Sequence, residues 1–188
     1  MAIVLVRHGE TEWSANGRHT SRTDLPLIEP GRERAEALGL LLAHWDFALV
    51  LTSPLRRARE TCELAGFGDV AEVWELLREW DYGEYEGLTT PEIRELNPGW
   101  VLWRDGCPGG EGPEEVGTRA DTLLDRLREV DGDAVVFAHG HILRVVAARW
   151  VQLPPAAGAR FALRAGAICV LGFERETEVI QLWNEAPR

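Results

Sequence analysis

The sequence predicts an α/β protein built on a mainly parallel β-sheet, and three observations carry that prediction. Short continuous apolar runs at residues 2–6, 47–51 and 134–138 have the character of strands buried on both faces. The segments that separate them repeat apolar residues at helical spacing. Strands alternating with helices are the pattern of a parallel sheet with crossover connections. At 188 residues the chain is long enough for one sizeable core and short for two, so residues 1–188 are read as a single domain.

The elements follow in order. The first apolar run ends in Arg7-His8-Gly9, and a polar segment leads to Pro30. Residues 32–45 carry Ala35, Leu38, Leu42 and Trp45 at helical spacing, and residues 47–51 return to strand. Ser53 and Pro54 then predict a helix start, with serine as the cap and proline in the first turn, and Gly66 predicts its end. Residues 71–74 form a weaker strand candidate. Between about 80 and 113 the periodicity fails in a stretch rich in Gly, Pro and aromatics, read as an excursion with one short helix near 91–96. Irregular segments of that length within a domain are usually functional. Trp100 and Trp103 within it are read as packing residues. Residues 114–130 return to helix, 134–138 to strand and 142–151 to an apolar helix. Residues 167–173 and 179–183 predict a closing antiparallel pair, whose outer edge could pair with a second copy as a homodimer.

The formal net charge of −11 argues against nucleic acid or an anionic membrane as a partner. No apolar stretch is long enough to span a bilayer. A small anionic ligand fits only if a local pocket reverses the overall sign. There is no lysine among the 20 basic residues, so any such pocket must use arginine and histidine. The three cysteines, Cys62, Cys107 and Cys169, have no C-x-x-C spacing and read as reduced thiols of a cytoplasmic protein.

The strand ends carry the functional signal. One delivers Arg7-His8-Gly9, a second Thr52-Ser53-Pro54 with Arg57 just beyond, and a third His139-Gly140-His141. Ligands of open α/β sheets bind beyond the carboxyl ends of the strands. If these strands are parallel neighbours, His8, His139, Arg7 and Arg57 meet at one edge. Arginine binds phosphate oxygens in bidentate fashion, and helix N-termini offer free N–H groups to anions. Glycines at 9 and 140 leave room for close approach. Arg56 and Arg59 each have a glutamate four residues on and read as surface pairs, whereas Arg57 has Thr61 there and is the arginine expected to point inward. Each residue alone has a bland structural explanation; their convergence is what points to a site.

Arg7-His8-Gly9-Glu10-Thr11, the run from Thr52 through Arg57 to Ala58, Glu79 before Tyr82-Gly83, and Ala138-His139-Gly140 together resemble the histidine phosphatase, or phosphoglycerate mutase-like, superfamily over essentially the whole chain. The resemblance implies a three-layer α/β/α sandwich. It makes His8 the nucleophile, Arg7, Arg57 and His139 the phosphate pocket, and Glu79 the proton donor. Ser14 and Ser21 depart from the Asn and Gly that the family often has beside the phosphate loop. WDYGEYEGLTTPEIRE, WRDGCPGGE and HGHILR resemble a branch of small acid and sugar-bisphosphate phosphatases.

These residues suit phosphomonoester hydrolysis through a phosphohistidine at His8, with the other ring nitrogen donating to a carbonyl near Gly9. His139 is expected to be protonated. No cofactor or metal is expected: arginines supply the charge, and there is no HExxH or clustered Cys/His set. Substrate selection is expected from the excursion and from Glu10, Ser14, Thr20, Ser21, Tyr82, Gly140, His141 and Arg144, the last reaching a second anionic group. The alternatives are a phosphoglycerate mutase, disfavoured by the short insertion between Glu79 and His139, and a phospho-ligand binding module without turnover.

Overall fold

A computed structural model describes residues 1–187. Strand β1 (Ile3–Arg7) is followed by the short helix α1 (Glu12–Ala15), helix α2 (Glu29–Leu42), β2 (Phe47–Thr52), α3 (Arg56–Leu64) and the two-residue β3 (Glu72–Val73). Helices α4 (Thr90–Leu96) and α5 (Leu102–Asp105) lie in the excursion. Helix α6 (Pro113–Arg128), β4 (Asp133–Ala138), α7 (Gly140–Trp150), β5 (Ile168–Glu174) and β6 (Thr177–Glu185) complete the chain. Among the described residues no helix is long and apolar enough to cross a membrane.

The sheet runs β3-β2-β4-β1-β5-β6. The first four of these strands are parallel, β5 is antiparallel to β1, and β6 to β5. Strand side chains alternate between faces, and β1 shows why both faces must be apolar: Ile3 and Leu5 join one core cluster, Val4 and Val6 the other. The first cluster packs under α6 and α7 through Val116, Leu123, Leu127, Ile142 and Val146; the second packs under α2 and α3 through Leu38, Leu42, Cys62 and Ala65. This is the expected three-layer arrangement.

The register sets the site. Arg7 pairs with Ala138 and Thr52 with Phe137, so the next residues, His8, His139 and Ser53, leave the sheet at one edge. Backbone bonds extend that alignment beyond the ladder, from His8 N to Ala138 O at 3.0 Å and from Ser53 N to Phe137 O at 2.9 Å.

Two local expectations are corrected. Ser53 does not cap α3, which begins at Arg56 after Leu55 and has no side-chain cap. Ser53 Oγ instead accepts from Leu55 N at 3.3 Å and sits 2.7 Å from His139 Nε2. Its Ser-Pro signature is thus used for a turn that reaches the neighbouring strand end. The excursion also contains a second helix, α5, only one turn long and closed by Gly106 at φ 63°. Four residues are too few to display a periodicity. The excursion is pinned by indole donors, Trp80 Nε1 to Glu111 O at 2.9 Å and Trp100 Nε1 to Gly106 O at 2.8 Å.

Candidate active site

His8 follows β1 directly and is 5% exposed. Its Nδ1 lies 2.7 Å from Gly9 O. A carbonyl can only accept, so Nδ1 carries the proton and the Nε2 lone pair is left free. Burial, with the charges of Arg57 and Arg7, holds the His8 pKa well below the usual 6.5, so the ring is neutral. Gly9 is required by packing: a Cβ there would stand 2.3 Å from Gly31 O.

Arg7 donates through Nη1 to Leu163 O, and its Nε is buried with no partner among the described residues. A buried unsatisfied donor is costly, and one beside a nucleophile marks where an anion would be held. Gly140 makes room for it, since a Cβ at 140 would lie 3.2 Å from Arg7 Nε and Cζ.

Arg57 points inward from the first turn of α3 and is 1% exposed, while its neighbours Arg56 and Arg59 face Glu60 and Glu63 at 3.9 Å. Its Nη1 donates to Thr23 O at 3.1 Å, its Nη2 to Thr20 O at 3.1 Å and its Nε to His139 Nδ1 at 3.1 Å. With Nδ1 accepting, His139 carries its proton on Nε2 and donates to Ser53 Oγ. The expectation of a protonated His139 is therefore corrected. The ring is fully buried, 5.1 Å from that of His8, and burial with the charge of Arg57 drives its pKa well below 6.5. Both ring nitrogens are engaged by protein, Nδ1 by Arg57 and Nε2 by Ser53.

Glu79 is 7% exposed and sits at the N-terminus of α7. Its Oε1 accepts from Trp80 N and Ile142 N, both at 2.9 Å, and its Oε2 from His141 N at 3.0 Å. Orphan N–H groups of a helix start are natural partners for a carboxylate.

A cleft of about 250 Å³ opens here, lined by Arg7, His8, Glu79, Gly140, His141, Tyr82, Thr20, Ser14 and Arg144 among others. These expected residues are brought together. Arg57 and His139 lie behind them rather than in the wall. Glu10 and Ser21 are corrected: Glu10 turns away to Arg34, and the Ser21 hydroxyl turns to Glu86. Ser14 reaches the wall, but its Oγ is engaged in the capping box with Thr11.

Arg18, His19, Thr90 and Leu163 also line the cleft, and the sequence reading did not name them. His19 donates from Nδ1 to Leu88 O at 2.9 Å and stacks on His141, with ring planes 8° apart. Tyr82 OH is 2.6 Å from His141 Nδ1, and burial holds the phenol pKa well above 10 and the imidazole pKa well below 6.5, so both groups are neutral. Trp103, read as packing, lies under the Arg144 guanidinium at 4.5 Å. The wall thus carries three arginines against one carboxylate, reversing the sign of a protein whose net charge is −11.

The sequence model of the histidine phosphatase superfamily (branch 1) matches residues 3–186. The chain belongs to the histidine phosphatase superfamily. Among relatives of this superfamily member is the acid phosphatase of Mycobacterium tuberculosis, 48% identical over 92% of this chain and 86% of that protein. The sedoheptulose 1,7-bisphosphatase of Saccharomyces cerevisiae is 36% identical over 80% of this chain and 67% of its own. The solved product of a Mycobacterium tuberculosis open reading frame superposes on this histidine phosphatase fold with a TM-score of 0.96, at 44% identity, covering 100% of this chain and 98% of that one.

Three buried imidazoles held below their usual pKa give the protein a predictable acid sensitivity. The unfolded chain binds protons at His8, His139 and His141 near pH 6.5, while the folded chain resists them. The unfolded state therefore holds more protons as pH falls through that value, and stability drops. A melting temperature that decreases from pH 7 to pH 5 is expected; one that rises contradicts neutral buried rings.

Proposed function

We propose that the protein is a phosphomonoesterase that hydrolyses small phosphorylated metabolites through a phosphohistidine at His8. The observation that carries this reading is the His8 ring itself, neutral and tied at Nδ1 to Gly9 O, in the same cleft as Arg7, whose Nε has no partner among the described residues. The ester enters as a monoanion, and Glu79 takes its proton. The Nε2 lone pair then attacks phosphorus, the ester P–O bond breaks, and the leaving oxygen takes the proton back from Glu79. Water gives a proton to Glu79 while its oxygen attacks phosphorus, the P–N bond breaks, the imidazole recovers its lone pair, and Glu79 passes the proton to the departing phosphate, which leaves as the monoanion. Arg7 stabilises the charge on the transferring group directly, a donor so placed being typically worth about 10²–10³-fold, and the buried Arg57 guanidinium, bonded to His139 Nδ1, adds its charge from behind His8.

His8 resists protonation, so release is expected to persist below pH 6.5, where an ordinary histidine would be lost as a nucleophile. We read the chain, residues 1–188, as one domain, with the excursion at about 80–113 as the cleft's outer wall. Three cysteines without disulfide partners support a cytoplasmic setting, and the outer strand β6 supports a homodimer through that edge.

Arg144 bears on substrate choice. It donates to Gly158 O at 3.0 Å and Ala159 O at 3.2 Å and, among the described residues, forms no salt bridge. A guanidinium so held is a ready partner for a second anionic group. The test is phosphate release from a panel of mono- and bisphosphate esters between pH 4 and 8, with Arg144→Leu alongside. Arg144→Leu is expected to lower kcat/KM for bisphosphates by about 10-fold or more, as loss of a charged hydrogen bond implies, and to spare p-nitrophenyl phosphate. Release from none of the esters would contradict the phosphatase reading. Interconversion of 2- and 3-phosphoglycerate outpacing release would favour a mutase.

A further inference from the structure

We propose that Thr61 is a positioning residue for the nucleophile: its hydroxyl fixes Gly9, whose carbonyl in turn sets the tautomer of His8. The inference rests on the phosphohistidine reading above and adds to it a residue that touches no substrate.

Three buried hydrogen bonds form one chain through Gly9, whose N–H and carbonyl belong to successive peptide units joined at its Cα. Gly9 N–H donates to Thr61 Oγ1 at 3.1 Å, Thr61 Oγ1 donates to Arg57 O at 2.7 Å, and His8 Nδ1 donates to Gly9 O at 2.7 Å. The direction of each bond is fixed. A backbone N–H can only donate, so Thr61 Oγ1 must accept from Gly9 and send its own proton elsewhere. The nearby carbonyl of Arg57 can only accept. Nothing in the chain can reverse without breaking it.

Gly9 needs such a brace. It has the widest backbone freedom of any residue, yet its neighbour Gly31 comes so close that no side chain could be placed at 9 to hold it. Its orientation must therefore be set from outside, by the backbone of Gly31 on one side and the Thr61 hydroxyl on the other. Thr61 is fully buried and lies one turn beyond Arg57 on α3. The same helix therefore carries Arg57 and the brace on the nucleophile's loop, and keeps the two in register.

The consequence is chemical. If Gly9 rotates, its carbonyl no longer holds the proton on His8 Nδ1. The imidazole then populates the form with the proton on Nε2, which has no lone pair there to attack phosphorus. Loss of the brace should slow chemistry and leave binding largely intact, because Arg7 and the cleft wall are untouched.

Thr61→Val keeps the shape and removes the acceptor; Thr61→Ser keeps the hydroxyl. With p-nitrophenyl phosphate as the probe, Thr61→Val is expected to lower kcat about 10–100-fold, the scale of a small misplacement of a reacting group, with KM little changed, and Thr61→Ser to retain kcat. Nitrogen-15 NMR of the His8 ring should show Nδ1–H in the wild type and in Thr61→Ser, and a mixture of tautomers in Thr61→Val. A merely structural role would lower the melting temperature without moving the tautomer. If Thr61→Val does not fold, Thr61→Cys, with a weak sulfur acceptor, carries the same comparison. Wild-type kcat in Thr61→Val, or a wild-type His8 already protonated on Nε2, overturns the inference. A wild type that releases phosphate without labelling His8 is instead a failure of the phosphohistidine reading.

Discussion

His8→Asn is expected to lower phosphate release from every ester by at least about 10³-fold, the scale on which removal of a covalent nucleophile acts. The choice of asparagine isolates the chemistry. Its amide can still donate to Gly9 O, the acceptor of the native Nδ1–H at 2.7 Å, but it offers no lone pair of nucleophilic strength. Arg7 and Arg144 remain in the cleft wall, so inorganic phosphate should still bind the variant. Unfolding curves with and without phosphate would separate retained binding from lost turnover. Release above a tenth of the wild-type rate would mean that His8 does not carry the transferring group.

Glu79→Gln is the second large effect, and it should split by leaving group. The variant amide can keep its oxygen where Oε1 accepts from Trp80 N and Ile142 N, so two of the bonds at the start of α7 are kept and the one from His141 N to Oε2 is given up. What is lost is a group that can give and take a proton. For alkyl phosphates, whose leaving oxygen needs that proton, the expected loss in kcat is about 10²–10⁴-fold. For p-nitrophenyl phosphate the leaving group is stable as an anion, and the first step should proceed at a comparable rate. The second step still requires a base for water. The variant is therefore expected to release one equivalent of p-nitrophenolate in a burst and then stall with the phosphoryl group on His8. Equal losses for both ester classes, with no burst, would remove Glu79 from the proton path.

Much of this was legible in the sequence for physical reasons that particular residues show. Val4 and Leu5 are adjacent and both apolar because β1 is covered on both faces, and that pattern signals a central parallel strand. Arg57 could be separated from Arg56 and Arg59 because helical spacing gives the outer two a glutamate partner and gives Arg57 a threonine. The acceptor for His8 Nδ1 was expected near Gly9 and is the Gly9 carbonyl. What was not legible depends on where irregular backbone turns. His19 and Arg18 enter the cleft from a segment without periodicity, and the Ser21 hydroxyl meets Glu86 across 65 residues of sequence. The sequence misleads on the state of His139, because an arginine-rich site suggests a charged ring partner for phosphate. Burial beside Arg57 instead keeps the ring neutral and turns its Nδ1 into an acceptor. Ser53 reads as a helix cap because Ser-Pro usually serves one; only the strand register reveals that it faces His139.

The most direct measurement is rapid quenching of the protein during turnover of a phosphorus-labelled ester, under alkaline conditions that preserve phosphoramidate bonds, followed by peptide mapping. The mechanism set out above requires label on the imidazole of His8, appearing before free phosphate and accumulating in Glu79→Gln. Turnover with no label on that peptide, or label on a serine hydroxyl or a carboxylate, would contradict it.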